Sequence, residues 1–188
     1  MKQSTNPWFA ARTFLYSDSK LPKPIRKQIL KDIKKLDFTR SSTASSEGDE
    51  RRTSTNSWLF TDTWIAGILH NIMVCCNEYY CYDLVHFDDK IQVTKYDELQ
   101  QYGWHIDQAE LKDTNNLPRK LSITLLLNDD FEGGELEIYN PVDQKTIPVP
   151  MKAGSYCVFP SWVVHRVKPV TKGTRYSLVA WMNGPQFR

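Results

Sequence analysis

The hydrophobic pattern of the chain first follows a helical period. In residues 21–38, "LPKPIRKQILKDIKKLDF", apolar residues recur three or four positions apart, at Ile25, Ile29, Ile33 and Leu36. One face of an α-helix has this spacing, so the segment is predicted to be a basic amphipathic helix. We interpret its lysines as a solvated face rather than a nucleic-acid patch.

The next two segments have opposite compositions. Residues 39–57 contain almost no apolar side chains and are rich in Ser, Thr and charge. Such a stretch buries too little surface to order itself and is predicted to be a mobile loop. Residues 64–81, "WIAGILHNIMVCCNEYYC", are apolar enough for a buried helix, in which His70 is expected to be structural. Residues 1–83 are therefore predicted to form N-terminal helices with a mobile loop between them.

From residue 84 the pattern changes to short runs rich in Val, Ile, Thr and aromatic residues, separated by turn residues, as in strands. Seven runs have this character: "LVHFDDKIQVTKYDE", "KLSITLLLND", "GGELEIYN", "KTIPVPM", "GSYCVFPS", "VVHRVKPV" and "TRYSLVAWM". Their spacing is typical of an all-β barrel or sandwich. We predict a β core over residues 84–188 with the helices packed outside it, and a single domain over residues 1–188, since this length suits one core.

Composition and charge narrow the class of protein. Hydrophobic residues make up 40% of the chain and charged residues 24%, which is typical of a globular protein. The net charge of +2 gives no reason to expect a nucleic-acid partner. No apolar run approaches the ~20 residues of a membrane-spanning helix, and the N-terminal "MKQSTNPWFAART" lacks the apolar core of a signal peptide. We therefore expect an intracellular protein, cytoplasmic by default, without a membrane partner.

The four cysteines do not follow a metal-binding or disulfide spacing. They lie at positions 75, 76, 81 and 157, three of them within one apolar stretch. Free cysteine is among the most buried residue types, so we predict buried, reduced thiols.

The stretch "HIDQ", residues 105–108, is the first candidate for chemistry. In a strand, residues i and i+2 project to the same side, so His105 and Asp107 would share a face. His165, in "PSWVVHRV", supplies a third ligand. Two histidines and one carboxylate, with the remaining metal positions open, are the ligand set of non-haem Fe(II) oxygenases. Taken alone, the H-x-D pair also fits a polar strand without a metal.

The stretch "TKGTRYSLVAW" adds a second candidate. Arg175 lies ten residues after His165, across a turn that contains Gly, so we expect a hairpin that sets their two strands side by side. Arg175 and Ser177 are again i and i+2 and would share a face. A buried guanidinium needs an anion, and its fork fits a carboxylate. The alternative is an arginine exposed on a strand.

Together, the H-x-D pair, the late histidine and the R-x-S pair resemble the 2-oxoglutarate- and Fe(II)-dependent dioxygenases. The stretches that are similar to the prolyl 4-hydroxylase branch lie in residues 91–182: "YDELQQYGWHIDQ", "RKLSITLLLNDDFEGGELEIY" and "AGSYCVFPSWVVHRVKPVTKGTRYSLVAW". More weakly, "RRTSTNSWL" is similar to the strand that precedes the core of that branch. The resemblance implies a mainly β fold with flanking helices and a double-stranded β-helix (jelly roll) core.

The resemblance also implies the roles of the candidate residues. Fe(II) would be held by His105, Asp107 and His165, which are the catalytic centre. Arg175 and Ser177 would grip the far carboxylate of 2-oxoglutarate, the co-substrate. O2 is the other reactant, and ascorbate is a candidate reductant.

Two positions depart from the branch. Relatives commonly have a glycine two or three residues after the tyrosine that matches Tyr96, where this chain has Glu98 and Leu99. Some prolyl hydroxylases bind 2-oxoglutarate with a tyrosine at the position of Leu126, and Ser177 is expected to replace that hydroxyl. Tyr96 and Tyr102 are expected to line the cofactor pocket, with plain packing as the alternative.

The implied activity is hydroxylation of a C–H bond, in a prolyl residue of a peptide or protein. Trp104 and Trp162 are expected to contact the substrate, because aromatic faces suit proline rings, and residues 39–57 are expected to close over it as a lid. Three alternatives stay open. They are a dioxygenase acting on a small molecule such as a free amino acid, a non-catalytic metal-binding β-barrel, which leaves Arg175 and Ser177 without a role, and a non-enzymatic interaction domain.

Overall fold

The structure of the chain is a computed structural model that describes residues 13–17, 21–41, 51–108 and 117–186. Within these residues there are two helices, α1 (Lys23–Ile33) and α2 (Trp64–Tyr80), and many strands. The strands are β1 (Leu15–Ser17), β2 (Thr39–Arg40), β3 (Thr55–Phe60), β4 (His86–Phe87), β5 (Lys90–Tyr96), β6 (Tyr102–His105), β7 (Arg119–Leu126), β8 (Phe131–Gly133), β9 (Leu136–Asn140), β10 (Lys145–Pro148), β11 (Tyr156–Pro160), β12 (His165–Val167), β13 (Val170–Gly173) and β14 (Arg175–Asn183). None of the helices in these residues is long and apolar enough to cross a membrane.

The strands form two main antiparallel sheets. The large sheet has the order β1-β11-β7-β14-β5-β3-β2, with β4 paired to β14, and the small sheet has the order β10-β9-β12-β6. Strands β13 and β8 make a separate pair. Side chains of both sheets meet in one apolar cluster, which includes Phe159 of the large sheet and Ile138 of the small one. The predicted mainly β, jelly-roll fold with flanking helices is confirmed.

The helices cover one face of the large sheet. Alternate residues of its central strands are buried in the same apolar cluster as the helices, and among them are Ile91, Val93, Leu121, Ile123, Leu125, Leu178, Ala180 and Met182. From α1 the cluster takes Ile29 and Ile33, both 0% exposed, so the predicted amphipathic helix and its apolar stripe are confirmed. Because side chains alternate along a strand, every second residue of these strands faces the small sheet instead.

The prediction of a mobile loop at residues 39–57 is wrong at both ends of this segment. Residues 39–40 and 55–57 belong to strands β2 and β3, and β3 pairs with β5 along its whole length. Residues 42–50 lie outside the described residues. The low hydrophobicity of β3 misled the prediction because one face of this strand lies on the polar side of the sheet, where Asn56 is buried opposite Thr94. The N-terminal half therefore contributes strands as well as helices.

The prediction of four buried thiols holds for only two. Cys76 and Cys157 are buried, whereas Cys75 and Cys81 are exposed. Adjacent residues of a helix point about 100° apart, so Cys75 and Cys76 cannot both face the core. Burial raises the pKa of Cys76 to about 11, and it raises that of Cys157 as well, which leaves both thiols unreactive.

Candidate metal and co-substrate site

The three predicted metal ligands come together at one end of the small sheet. His105 ends β6 and is directly opposite His165, the first residue of β12. The three possible ligand atoms all lie within 4.8 Å of one another. Oδ1 of Asp107 is 3.7 Å from Nε2 of His105 and 3.8 Å from Nε2 of His165. The spacing of these atoms suits three ligands around one ion.

Asp107 is not held by strand β6, as was predicted. It lies beyond the end of β6 rather than inside it. The backbone N–H groups of Asp107 and Gln108 both donate to the carbonyl oxygen of Ser161, at 2.9 Å. This anchor to the segment that leads into β12 holds the carboxylate against both histidines.

Backbone carbonyls fix the orientation of both imidazoles. Nδ1 of His105 lies 2.8 Å from the carbonyl oxygen of Gly103, and Nδ1 of His165 lies 2.9 Å from that of Val163. Because a carbonyl can only accept, these contacts assign the proton to Nδ1 in each ring. Each Nε2 then has a free lone pair on the side of Asp107, which is the form that binds a metal.

The charge states also suit a divalent cation. Burial and the neighbouring His165 lower the pKa of His105 to about 3, so this imidazole is neutral at physiological pH. Burial alone would raise the pKa of Asp107, but His165 and His105, helped by Trp181 and Ser122, lower it. Its Oδ2 is buried and has no hydrogen-bond partner among the residues that the structure describes. Two imidazoles with Nε2 turned towards Asp107 and an incompletely satisfied carboxylate form a donor set that fits Fe(II).

Arg175 lies on the inner face of the large sheet, with only 2% of its surface exposed. Its Nη1 donates to Oγ of Ser177 at 2.9 Å, which shows that the two residues share a face, whereas its Nε has no hydrogen-bond partner in the described residues. Burial lowers the pKa of this guanidinium. No carboxylate in the described residues pairs with it, so an anion from outside the protein fits here.

The predicted hairpin between the strands of His165 and Arg175 is wrong. Strand β12 belongs to the small sheet, β14 belongs to the large sheet, and β13 between them pairs with β8. The two residues serve one site because the sheets face each other. Tyr96 lies beside Arg175, with its ring 5.4 Å from the guanidinium. Burial raises the pKa of its hydroxyl, and the charge of Asp107 adds to this shift.

Both predicted pocket tyrosines lie at the site. Tyr96 is 3% exposed and stands opposite Arg175 in the β5–β14 register. Tyr102 stacks on the ring of His105, with 3.5 Å between the centroids and 12° between the planes. Leu126 stands opposite Ser177 in the register of β7 and β14, so the serine hydroxyl is next to the position where some relatives have a tyrosine.

The two predicted substrate tryptophans differ. Trp104 does not face the metal ligands: its ring packs against Tyr139, at 6.1 Å, and against the guanidinium of Arg166, at 4.5 Å. Side chains alternate along strands, so the neighbours of His105 and His165 point to the outer face of the small sheet, and the prediction for Trp104 is wrong. Trp162 packs 5.5 Å from Tyr82, and its substrate role stays a prediction.

Two residues of the site were not found from the sequence. Trp181 lies beside Asp107 and lowers its pKa, and its position could have been read from the i, i+2 series that starts at Arg175 and Ser177. Arg52 lies 4.5 Å from the ring of Tyr102. Its neighbour is 50 positions away in the chain, and no local pattern marks that contact.

The fold and the site define a class: a jelly-roll protein with two histidines and one carboxylate arranged for a metal, and a buried arginine on the facing sheet. The sequence profile described as the 2OG-Fe(II) oxygenase superfamily matches residues 91–183, which include both groups. Through these residues the chain belongs to the 2OG-Fe(II) oxygenase superfamily. Members of this superfamily require Fe(II), 2-oxoglutarate and O2, in agreement with the predicted cofactors.

The chain is similar in sequence to proteins named PKHD-type hydroxylase. A PKHD-type hydroxylase of Synechococcus sp. (strain JA-2-3B'a(2-13)) is 36% identical over 102 residues, which are 53% of this chain and 43% of that protein. The match therefore spans less than half the length of this relative.

Two solved structures share the fold. A prolyl-4-hydroxylase of Pseudomonas putida has a TM-score of 0.75 and 18% identity, over 93% of this chain and 94% of its own. A prolyl hydroxylase of Trichoplax adhaerens, in complex with a peptide fragment of the hypoxia inducible factor oxygen degradation domain, has a TM-score of 0.69 and 19% identity, over 92% of this chain and 84% of its own. At these identities the likeness shows the fold.

Proposed function

We propose that this protein is a 2-oxoglutarate- and Fe(II)-dependent dioxygenase that hydroxylates a prolyl residue in a peptide or protein. The observation that carries this proposal is the convergence of His105, Asp107 and His165, with three ligand atoms within 4.8 Å of one another. Sheet pairing, backbone hydrogen bonds and burial set this geometry in advance, as a preorganised metal site requires.

In this proposal His105, Asp107 and His165 hold Fe(II) and leave its other positions open. Bound with 2-oxoglutarate, the metal supplies the oxidation, in which one atom of O2 enters a substrate C–H bond as hydroxyl and the other enters succinate, with release of CO2. The protein orients the reactants and keeps water away from them. Tyr102, stacked on His105, covers one side of the site.

Arg175 and Ser177 would bind the distal carboxylate of 2-oxoglutarate. The guanidinium is buried, and Nε has no partner in the described residues, so it retains hydrogen-bonding capacity for an anion. This anion-binding arginine distinguishes the proposed dioxygenase from a metal-binding barrel without turnover, because such a barrel has no use for a buried arginine on the opposite sheet.

Two features support a peptidyl-proline substrate. The relatives include proteins named PKHD-type hydroxylase and prolyl hydroxylase, one of them in complex with a peptide. In this chain, Trp58 lies 6.5 Å from Trp181, which neighbours Asp107, and Trp58 is 43% exposed. An exposed aromatic ring in contact with Trp181 suits a proline ring in an extended chain.

The first experiment is an anaerobic titration with Fe(II) and 2-oxoglutarate, followed through the visible charge-transfer band of the chelate. The band is expected in the wild type and in His70→Ala, a control histidine on α2, and it is expected to be absent in His165→Ala. No band in the wild type would contradict the dioxygenase proposal.

The second experiment tests the substrate. Proline-containing peptides are expected to stimulate succinate formation and to gain one oxygen atom at proline, located by fragmentation in the mass spectrometer. If free amino acids stimulate turnover and no peptide in a broad panel does, the peptidyl-proline part is wrong while the dioxygenase part stands.

A further inference from the structure

A second buried arginine lies at the site, and the proposed function leaves it without a role. Arg52 precedes β3 and is 7% exposed. Its Nε donates to Oγ of Ser54 at 3.2 Å. Its Nη2 is buried and has no hydrogen-bond partner in the described part of the chain. The guanidinium is therefore held in place with part of its donor capacity unused.

The guanidinium of Arg52 lies next to the metal site. An isolated β-bridge joins Arg52 to Tyr102. The guanidinium lies 4.5 Å from the centroid of the Tyr102 ring, and this ring stacks on His105. Arg52, Tyr102 and His105 thus form one continuous stack that ends at a metal ligand. The charge of Arg52 acts on His105 and also on Tyr96, next to Arg175.

The charged side chains described at the site do not balance one another. Those that act most strongly on the two pocket tyrosines and on His105, apart from the histidines, are Arg52, Arg175 and Asp107. Two cations and one carboxylate leave one positive charge. Fe(II) and the dianion of 2-oxoglutarate would cancel each other, so these three side chains would keep one positive charge in the loaded site. A buried cation without an anion is unfavourable, which favours an anionic third component.

The contacts of Arg52 with the described residues do not supply this anion. The Tyr102 ring and the Ser54 hydroxyl are neutral, so they orient the guanidinium without neutralising it. Arg175, with Ser177 beside it, is already assigned to the carboxylate of the co-substrate. The component still to be placed is the substrate itself.

We infer that Arg52 binds a carboxylate of the primary substrate and selects substrates with an acidic group close to the carbon that is hydroxylated. This inference rests on the proposed function and gives its substrate a chemical class. In a peptide the carboxylate belongs either to an Asp or Glu near the proline or to the C-terminus. Either one presents the same carboxylate oxygens to the unused Nη2 of Arg52 for a charge-assisted hydrogen bond.

The experiment compares matched peptides that differ only in this charge. One pair is acetyl-Ala-Pro-Glu-Ala-amide and its Gln counterpart, and the other is acetyl-Ala-Ala-Pro with a free or an amidated C-terminus. Binding is measured by calorimetry on protein loaded with Mn(II) and 2-oxoglutarate, which needs no turnover. The wild type is expected to bind at least one acidic peptide about 10- to 100-fold more tightly than its neutral partner. The pair that shows the difference identifies the source of the carboxylate.

Three variants locate the effect. Arg52→Gln is expected to lose the preference, and Arg52→Lys is expected to keep part of it, because an ammonium retains the charge but not the fork. Arg51→Gln, the exposed neighbour, is the matched control and is expected to keep the full preference. Thermal unfolding of each variant checks that it is folded, and Arg52→Lys carries the test if Arg52→Gln does not fold.

The possible failures are distinguishable. Equal binding of the two members of both pairs by the wild type, including no binding of any peptide, overturns the inference about Arg52. An unchanged preference for the acidic peptide in Arg52→Gln also overturns it. The same holds if Arg52→Gln loses affinity for 2-oxoglutarate but still discriminates between the peptides. If Fe(II) and 2-oxoglutarate do not form the anaerobic chelate in the wild type, the proposed function itself fails.

Discussion

The two faces of the large sheet are made by the same strands and have opposite chemistry. In β14, Leu178 and Ala180 point towards the helices and are 0% exposed, whereas Arg175 and Ser177 point towards the small sheet and are equally inaccessible, at 2% and 1%. The helix-facing side is an apolar core. The side that faces the small sheet is buried but polar.

The polar face extends beyond the residues with proposed roles. Gln92 and Thr94 are buried on β5 and are joined by a hydrogen bond of 2.8 Å. Ser122 on β7 is bonded to Ser161 at 2.9 Å. Hydrogen bonds between buried polar groups contribute little net stability, because the same groups are solvated in the unfolded chain. The helix-facing side therefore stabilises the fold, and the polar side holds the groups that bind ligands.

Loss of a metal ligand should have the largest effect on function. His165→Ala and Asp107→Ala are each expected to reduce succinate formation to below about 1% of the wild type, since two remaining ligands hold Fe(II) poorly in an open site. The unfolding midpoint of the metal-free protein should change little, because neither side chain belongs to the helix-side core. Asp129→Ala, an exposed carboxylate, is the control. Normal turnover in either variant would remove that residue from the centre.

Arg175→Ala should come next. Losing a buried, charge-assisted pair costs roughly 2 to 5 kcal/mol, so the dissociation constant of 2-oxoglutarate should rise about 30-fold or more. Metal binding should persist, because Arg175 lies on the opposite sheet. Arg175→Lys should recover part of the affinity. Calorimetry with 2-oxoglutarate on the Mn(II)-loaded protein measures both, and an unchanged affinity would place the co-substrate carboxylate elsewhere.

Leu178→Ala tests the other face of the same strand, β14, which lies between β5 and β7. Removing a fully buried leucine from a packed core lowers the free energy of unfolding by about 2 to 5 kcal/mol. Its side chain points away from the ligands, so the affinity of the folded protein for 2-oxoglutarate should stay the same. Urea unfolding and calorimetry separate the two quantities. A large loss of affinity without a loss of stability would contradict the division between the faces.

The sequence was sufficient for features that depend on local spacing. The 3.6-residue stripe predicted α1, and alternation within one strand predicted that Arg175 and Ser177 share a face. The same alternation, followed further along β14, would have found Trp181. Spacing also made Trp104 misleading, because a residue next to a metal ligand in a strand points to the opposite face.

Features that depend on how strands pair could not be predicted in this way. The nine residues between His165 and Arg175 suggested a hairpin, but they include β13 and cross from one sheet to the other. The first half of strand β3, residues 55–57, was predicted to be a loop because one face of this strand meets the polar side of the sheet. Arg52 became part of the site only through its bridge to Tyr102. No local pattern shows which distant strand a residue will join.

Ser177→Ala should have the smallest effect, and it tests the polar face most finely. Ser177 accepts a hydrogen bond of 2.9 Å from Nη1 of Arg175. Removing one such bond costs about 0.5 to 1.5 kcal/mol, so the KM for 2-oxoglutarate should rise about two- to tenfold while kcat changes little. The control on the other face is Ala180→Ser, which places a hydroxyl in the apolar core, where it should lower stability and leave the KM unchanged.

If the hydroxyl of Ser177 replaces the tyrosine of some relatives, adding Leu126→Tyr to Ser177→Ala should restore the KM, since the two positions are paired neighbours on β7 and β14. An unchanged KM in Ser177→Ala would show that the serine only orients the arginine.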